Sequence, residues 1–197
     1  MNKNKKWGIE LTTEKPIHVV LFVSRNKDNP DVNDFKQRRY SFITTRTPEE
    51  LMPEFEAFVK KGVPREASRF YYSVNKRDPR EIVRQLTHFL IDNPEMNPVT
   101  IDAKLAGIAA TKECALEKKW MFDFDSTDPD KLVEFINDIK NIDNTLEVEI
   151  NQTPNGYHII VNHGFDIRTI SEKYKGIAEV KKDDLKLVKV KTNEGAI

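Results

Sequence analysis

Cysteine is almost absent from this sequence of 197 residues, since Cys114 is its single thiol. One thiol excludes an intrachain disulfide and argues against a cysteine-based zinc site within the chain. Its apolar runs are far too short to span a bilayer, and the opening residues MNKNKKWGIELTTEK place no apolar run behind their lysines, as a signal peptide would. We therefore expect a cytoplasmic protein that makes no membrane contact.

The sequence also lacks net charge, because 32 basic residues balance 32 acidic ones. That balance argues against a protein that binds polyanions through bulk charge, although it leaves a local basic groove open. Residues 1–100 hold 18 Lys and Arg against 14 Asp and Glu, and residues 101–197 hold 14 against 18. The chain is thus basic first and acidic second.

What is present is enough apolar residue, 38%, for one sizeable core. Apolar runs predict strands at 17–23, 40–45, 70–74, 120–124, 146–151, 157–161 and 185–190. Capping residues followed by proline predict helices that start near 47, 78 and 128, and further helices are expected at 102–118 and 166–174. This order predicts an α+β fold with a mixed, largely antiparallel sheet packed against helices. We expect an N-terminal α/β subdomain over 1–100 and a catalytic-like subdomain over 101–197, joined in one compact unit.

The first candidate site is the segment WMFDFD, which ends in Asp123 and Asp125. Alternate residues of a strand share a face, so both carboxylates point one way while Phe122 and Phe124 enter the core. Paired carboxylates hold Mg²⁺ or Mn²⁺ beside substrate phosphates. The alternative is a solvated strand end.

The second candidate is the segment TPNGYHII, in which Asn155 and Gly156 form a turn before His158. Backbone N–H groups of a glycine turn can approach an anion closely, and the imidazole can donate to a phosphate oxygen. An ordinary hairpin with a satisfied histidine is the alternative.

The third candidate is an acidic pair before a strand in which lysines alternate with apolar residues. Asp183 would complete a metal site, while Lys186 and Lys189 would meet phosphate. Their spacing of three places the lysines on opposite faces of a regular strand, so they serve one site only if the strand is irregular. A solvated strand edge is the alternative.

In this order the three segments resemble the motifs of the archaeo-eukaryotic primase superfamily. That family has an acidic pair two residues apart after apolar residues, then a histidine on a strand after a turn. Its third motif is an aspartate before a basic-apolar-x-basic stretch, which here is Asp183 before Lys186-Leu187-Val188-Lys189, although the family usually has arginine at the basic positions. The resemblance covers about residues 118–195.

The resemblance implies a primase–polymerase-like, RRM-like catalytic half. It implies that Asp123, Asp125 and Asp183 hold Mg²⁺ or Mn²⁺, with His158 on the phosphates of the incoming nucleoside triphosphate. Lys186 and Lys189 would then lie near nucleotide or template. Asn155 and Gly156, in the turn of the second motif, would lie beside the nucleotide.

Basic residues of the N-terminal half form a further candidate, because Arg77, Arg80 and Arg84 recur at helical spacing after Phe70-Tyr71-Tyr72. Arginine beside aromatics is a composition typical of single-strand binding. The alternative is an exposed, charged helix face.

These observations favour a primase–polymerase-like nucleotidyltransferase that uses divalent metals on nucleoside triphosphates and a single-stranded DNA or RNA template. A non-catalytic nucleic-acid or protein-binding module of the same fold and a metal-dependent nuclease remain as alternatives. The sequence does not indicate an oligomeric state.

Overall fold

The computed structural model describes residues 15–195. Most of the opening segment MNKNKKWGIELTTEK, which we expect not to be a signal peptide, lies outside this range. Within it, the chain forms eight strands and five α-helices, joined by turns that include short 3-10 segments. In chain order they are β1 His18–Ser24, β2 Arg38–Thr44, α1 Met52–Lys60, β3 Ala67–Ser73, α2 Pro79–Asp92, α3 Ile101–Ala109, β4 Trp120–Phe124, α4 Pro129–Ile142, β5 Val148–Thr153, β6 Gly156–Val161, α5 Arg168–Lys173, β7 Ala178–Lys181 and β8 Leu185–Thr192.

The strands form two four-stranded sheets in which every neighbouring pair is antiparallel. The first sheet has the order β2-β1-β3-β8, and the second has the order β5-β6-β4-β7. The second sheet and its two helices run β-α-β-β-α-β along the chain, which is the ferredoxin-like arrangement. The predicted α+β class with largely antiparallel pairing is therefore confirmed.

Helix starts follow the local sequence closely. The Asp78 carboxylate accepts hydrogen bonds from the first free N–H groups of α2, and Asp128 does the same for α4. In both helices a proline follows the capping residue, where its missing N–H has no cost. Each helix then packs one apolar face against a sheet.

Three main apolar clusters join helices to sheets. α1 packs on one face of the first sheet through Phe55 and Val59. α2 and α3 cover part of the opposite face through Ile82 and Ala109. α4 and α5 cover one face of the second sheet.

The two sheets do not correspond to the two halves of the chain. α3 packs on the first sheet, and β8 returns from the second half to pair with β3. The predicted division between residues 100 and 101 is therefore corrected to an interleaved pair of layers. A small cluster of Val74, Met121 and Ile160 joins the layers.

Other differences from the sequence prediction concern single elements. The helix predicted to start near 47 begins at Met52, because a 3-10 turn over Glu49–Leu51 precedes it. The helix expected over 102–118 ends at Ala109, because the following segment extends alongside Arg77 and pairs with it at Ala115. β7 was not predicted, since Ala178–Lys181 is short and half polar. Among residues 15–195, no helix combines the length and apolarity needed to cross a membrane.

Candidate functional site

A cleft of about 830 Å³ opens between the two sheets. The first sheet and the loop after β1 contribute basic side chains to it, whereas the second sheet and the β7–β8 connection contribute mostly acidic ones. The charged residues that line it are Arg25, Lys27, Asp28, Arg39, Arg69, Asp123, Asp125, Glu179, Lys181 and Asp184, together with His158. We call the side formed by the first sheet and the loop after β1 the basic wall, and the side formed by the second sheet and the β7–β8 connection the acidic wall. The charge difference between the two halves of the sequence thus corresponds to a charge difference between the two walls of the cleft.

Asp123 lies at the centre of the acidic wall. In the second sheet it stands opposite His158 of β6 on one side and Glu179 of β7 on the other. Its side chain is 39% exposed, and Asp125 follows just beyond the strand end. Both carboxylates line the cleft while Phe122 and Phe124 enter the core, so the predicted common face is confirmed.

His158 is held by the other sheet. Its Nδ1 accepts the backbone N–H of Leu187 on β8 at 3.1 Å, so in the neutral ring the proton lies on Nε2. That Nε2 atom is 3.5 Å from Oδ1 of Asp123. The imidazole hydrogen bond lowers the pKa of Asp123 below its ordinary value, which outweighs the opposing effect of burial. The carboxylate is therefore kept ionised.

The turn before β6 divides into residues that reach the cleft and one that does not. Thr153, Pro154 and Asn155 line the cleft, and nucleotide binding by Asn155 stays a prediction. Gly156 instead packs against β4, where an added Cβ would meet the Phe124 carbonyl oxygen at 1.9 Å. Gly156 is not among the residues that line the cleft and its missing side chain serves strand packing, so a backbone contact with nucleotide stays a prediction.

Asp183 does not join the acidic wall. Its carboxylate accepts hydrogen bonds from both terminal nitrogens of Arg77, at 2.7 and 2.8 Å, and a third from Asn75 at 3.0 Å. Its neighbour Asp184 lines the cleft instead. The prediction that Asp183 is a metal ligand is corrected, because this buried arginine occupies its oxygens.

The two lysines of β8 also lie away from the cleft. A register shift leaves Val188 without its own partner, so Lys186 stands opposite Tyr72 and Lys189 opposite Phe70. The strand is irregular, as a shared face required, but this face is the one that packs on α1. Lys186 pairs with Glu149 and Lys189 is exposed, so their predicted role at the nucleotide is corrected.

The three arginines predicted to bind nucleic acid do not form one surface. Arg77 is 1% exposed and pairs with Asp183, so its prediction is corrected. Arg80 and Arg84 are exposed on α2 outside the cleft, and Arg84 pairs with Glu81. Binding by these two stays a prediction.

Sequence reasoning missed the basic wall. Arg39 of β2 and Arg69 of β3 flank Val23 of β1, so a row of three neighbouring strands presents two guanidinium groups to the cleft. The alternation of Arg69 and Tyr71 along β3 was the available signal, because residues two apart share a face. Which face stayed open could not be read from the sequence.

The acidic wall fits a cation that is shared with a ligand. No group of three or more His, Cys, Asp and Glu side chains within residues 15–195 is placed to hold a metal ion. Asp123 and Asp125 supply a pair of carboxylates, and Mg²⁺ commonly binds one or two carboxylates together with substrate phosphates and water. The donors therefore suit a phosphate-bound cation better than one enclosed by protein.

No family model matches the chain, and no curated protein matches it. The resemblance to the primase superfamily therefore depends on the three sequence segments alone.

Proposed function

We propose that the protein is a primase–polymerase-like nucleotidyltransferase that acts on nucleoside triphosphates and single-stranded nucleic acid with Mg²⁺ or Mn²⁺. One observation carries the proposal: the side chains of Asp123, Asp125 and His158 line the same open cleft as a row of arginines, and the Nε2–H of His158 is directed toward Asp123. Carboxylates suit a cation and guanidinium groups suit phosphate. Binding a nucleotide chain together with its cation needs groups of both kinds.

The residues of the acidic wall have separate tasks in this proposal. Asp123 and Asp125 would hold the cation, which when bound neutralises phosphate charge and lowers the pKa of an attacking hydroxyl. His158 presents an N–H donor toward the same place, and the Leu187 N–H fixes its tautomer. No covalent nucleophile is required, because positioning and charge stabilisation supply most of the catalysis of phosphoryl transfer.

The size of the cleft is consistent with this class of ligand. Its volume of about 830 Å³ falls within the range of roughly 300–1,000 Å³ typical of small-molecule sites. The cleft is open between the two sheets, so it also leaves room for a nucleic-acid strand to enter. Tyr71 is among the residues that line the cleft, and an aromatic ring can stack on a base.

The test is extension of a labelled primer on a single-stranded template with Mg²⁺ or Mn²⁺. The combined change Asp123→Asn and Asp125→Asn should abolish extension while the fold is kept. The matched control is the combined change Asp130→Asn and Asp166→Asn, which neutralises two exposed carboxylates outside the cleft and should extend normally. Extension that survives loss of the cleft pair contradicts the proposal.

A second candidate is a non-catalytic nucleic-acid-binding module of the same fold. The capture of Asp183 by Arg77 favours it, because the expected third acidic ligand is absent from the cleft. Wild-type protein that binds the template strand in EDTA but never extends the primer would support this module. A metal-dependent nuclease would instead shorten the labelled strand on the same gel.

A further inference from the structure

Asp28 lies between two arginines at the basic side of the cleft. Its oxygens accept hydrogen bonds from Arg69 at 2.9 and 2.7 Å and from Arg25 at 2.8 and 3.2 Å. Each guanidinium group contacts the carboxylate through Nε and Nη2. Among residues 15–195, neither Nη1 group donates a hydrogen bond to the protein. As far as the described residues are concerned, both can donate to a ligand.

The loop that carries Asp28 is fixed in place. The side chain of Asn29, 4% exposed, bonds both backbone groups of Ala67 at the start of β3, at 2.6 and 3.0 Å. It also donates to the carbonyl of Arg25. A buried hydroxyl contact of 2.7 Å between Ser24 and Ser68 adds to this attachment. The two guanidinium groups are thus positioned before any ligand arrives, which limits the ordering that binding must supply.

The position and charge of the group indicate what it binds. Arg25, Asp28 and Arg69 all line the cleft, and the charge of Arg69 contributes to the lowered pKa of Asp123 on the opposite wall. Two arginines and one aspartate carry a single net positive charge. That matches the single negative charge of a phosphodiester, and the Nη1 groups that Asp28 does not engage can donate charge-assisted hydrogen bonds to phosphate oxygens.

We infer that Arg25, Asp28 and Arg69 form a phosphate clamp that seats a phosphate of the ligand across the cleft from Asp123. Arg25 and Arg69 contact the phosphate, and Asp28 is a positioning residue that orients them. The inference rests on the proposed function in that both require a phosphate-bearing ligand in this cleft. It does not require that the ligand react.

The test measures binding in EDTA, where the cation site is inactive. A fluorescein-labelled single-stranded oligonucleotide reports on phosphodiesters, and a fluorescent nucleoside triphosphate reports on free phosphates. Arg69→Gln should weaken binding of the oligonucleotide at least about fivefold and reduce the slope of log K against log salt by about one. Loss confined to the triphosphate would assign the clamp to the nucleotide tail instead of the strand and support the clamp itself.

Two further variants keep the result interpretable. Arg69→Lys keeps the charge but not the fork, so it should bind as weakly as Arg69→Gln. Arg25→Gln alters a more exposed side chain, leaves the pair of Arg69 and Asp28 intact and should also weaken binding. It therefore tests the clamp if Arg69 variants fail to fold.

The matched control is Arg168→Gln, which breaks an exposed arginine–carboxylate pair with Asp166 at the start of α5, outside the cleft. It should bind normally. Wild-type binding by Arg69→Gln and Arg25→Gln, or full recovery in Arg69→Lys, would overturn the clamp. Clamp variants that lose binding in a protein that never extends a primer would support the clamp and reject only the transferase.

Discussion

Asp183 and Asp184 are neighbours in the chain with opposite surroundings. Asp183 neutralises Arg77, whose side chain is almost fully buried and whose Nε has no hydrogen-bond partner among the described residues. Asp184 is exposed at the cleft. Along an extended chain a shift of one residue moves a side chain to the other face, so an acidic pair before a strand does not indicate which member reaches the site.

The neighbouring aspartates should therefore differ in their effect on stability. Asp183→Asn leaves the Arg77 charge buried without a counterion, and we expect it to lower the free energy of unfolding by about 3 kcal/mol. Asp184→Asn should change it by less than about 0.5 kcal/mol. Urea unfolding of both variants measures the difference. Equal, small effects would contradict the buried pair.

The two ring nitrogens of His158 have different partners, so two substitutions should separate their contributions to stability and activity. His158→Asn places an acceptor near the position of Nδ1 and keeps the Leu187 N–H satisfied. The free energy of unfolding should therefore stay within about 1 kcal/mol of wild type, while the donor toward Asp123 is lost. His158→Gln places its terminal amide near the position of Nε2 and leaves the buried Leu187 N–H unpaired. This should lower the free energy of unfolding by about 1–3 kcal/mol. Thermal unfolding and primer extension together read out the two effects. Greater loss of stability in the Asn variant would contradict the assigned tautomer.

At the scale of elements, the sequence predicted what depends on local pattern. β4 was predicted at Trp120–Phe124, the residues it occupies, because an apolar run is bounded by polar residues on both sides. The starts of α2 and α4 followed from their caps. Asp123, Asp125 and His158 came together because β4 and β6 are adjacent strands of one hairpin-containing sheet.

The remaining features depend on partners distant in the chain. The bulge in β8 that places Lys186 and Lys189 on one face arises from its register with β3. β7 is recognisable as a strand only through its pairing with β4. The attachment of Asp183 to Arg77 joins residues more than a hundred positions apart. Local propensity contains no information on such pairs.

Two glycines offer a matched test of the packing between strands. Gly156→Ala would place a methyl group 1.9 Å from the Phe124 carbonyl oxygen, so we expect a loss of about 3 kcal/mol from the backbone shift it forces. Gly107→Ala lies in α3 with no atom within 4 Å of the added Cβ and should raise stability by about 0.5–1 kcal/mol. Chemical unfolding measures both. A tolerated Gly156→Ala would show that the turn is less tightly packed.

The loop after β1 should show a defined pH dependence. Burial would raise the pKa of Asp28, but hydrogen bonds from Arg25 and Arg69 more than offset it, so the pKa lies below the ordinary 3.8. A carboxyl with a lowered folded pKa contributes fully above its unfolded pKa and loses that contribution as pH falls through the folded value.

The stability difference between wild type and Asp28→Asn should therefore be constant from about pH 7 to about pH 5 and shrink below about pH 4. Urea unfolding across that range measures it. A difference that stays unchanged down to about pH 3 would contradict the ion pairs of Asp28.

At the scale of the whole molecule, the return of β8 to the first sheet fixes the geometry of the cleft. The contacts that join the layers include the bond from Leu187 to His158, the pair of Arg77 and Asp183, and the cluster around Met121. They set the basic wall opposite the acidic wall. The neutral net charge of the sequence therefore conceals a cleft with opposite charges on its two sides.

The most direct measurement is a crystal structure of the protein soaked with Mn²⁺ and a nucleoside triphosphate, with anomalous scattering used to locate the metal. We expect manganese within coordination distance of both Asp123 and Asp125, with triphosphate oxygens completing its shell beside His158. Manganese bound elsewhere, or a triphosphate seated outside the cleft, would contradict this expectation.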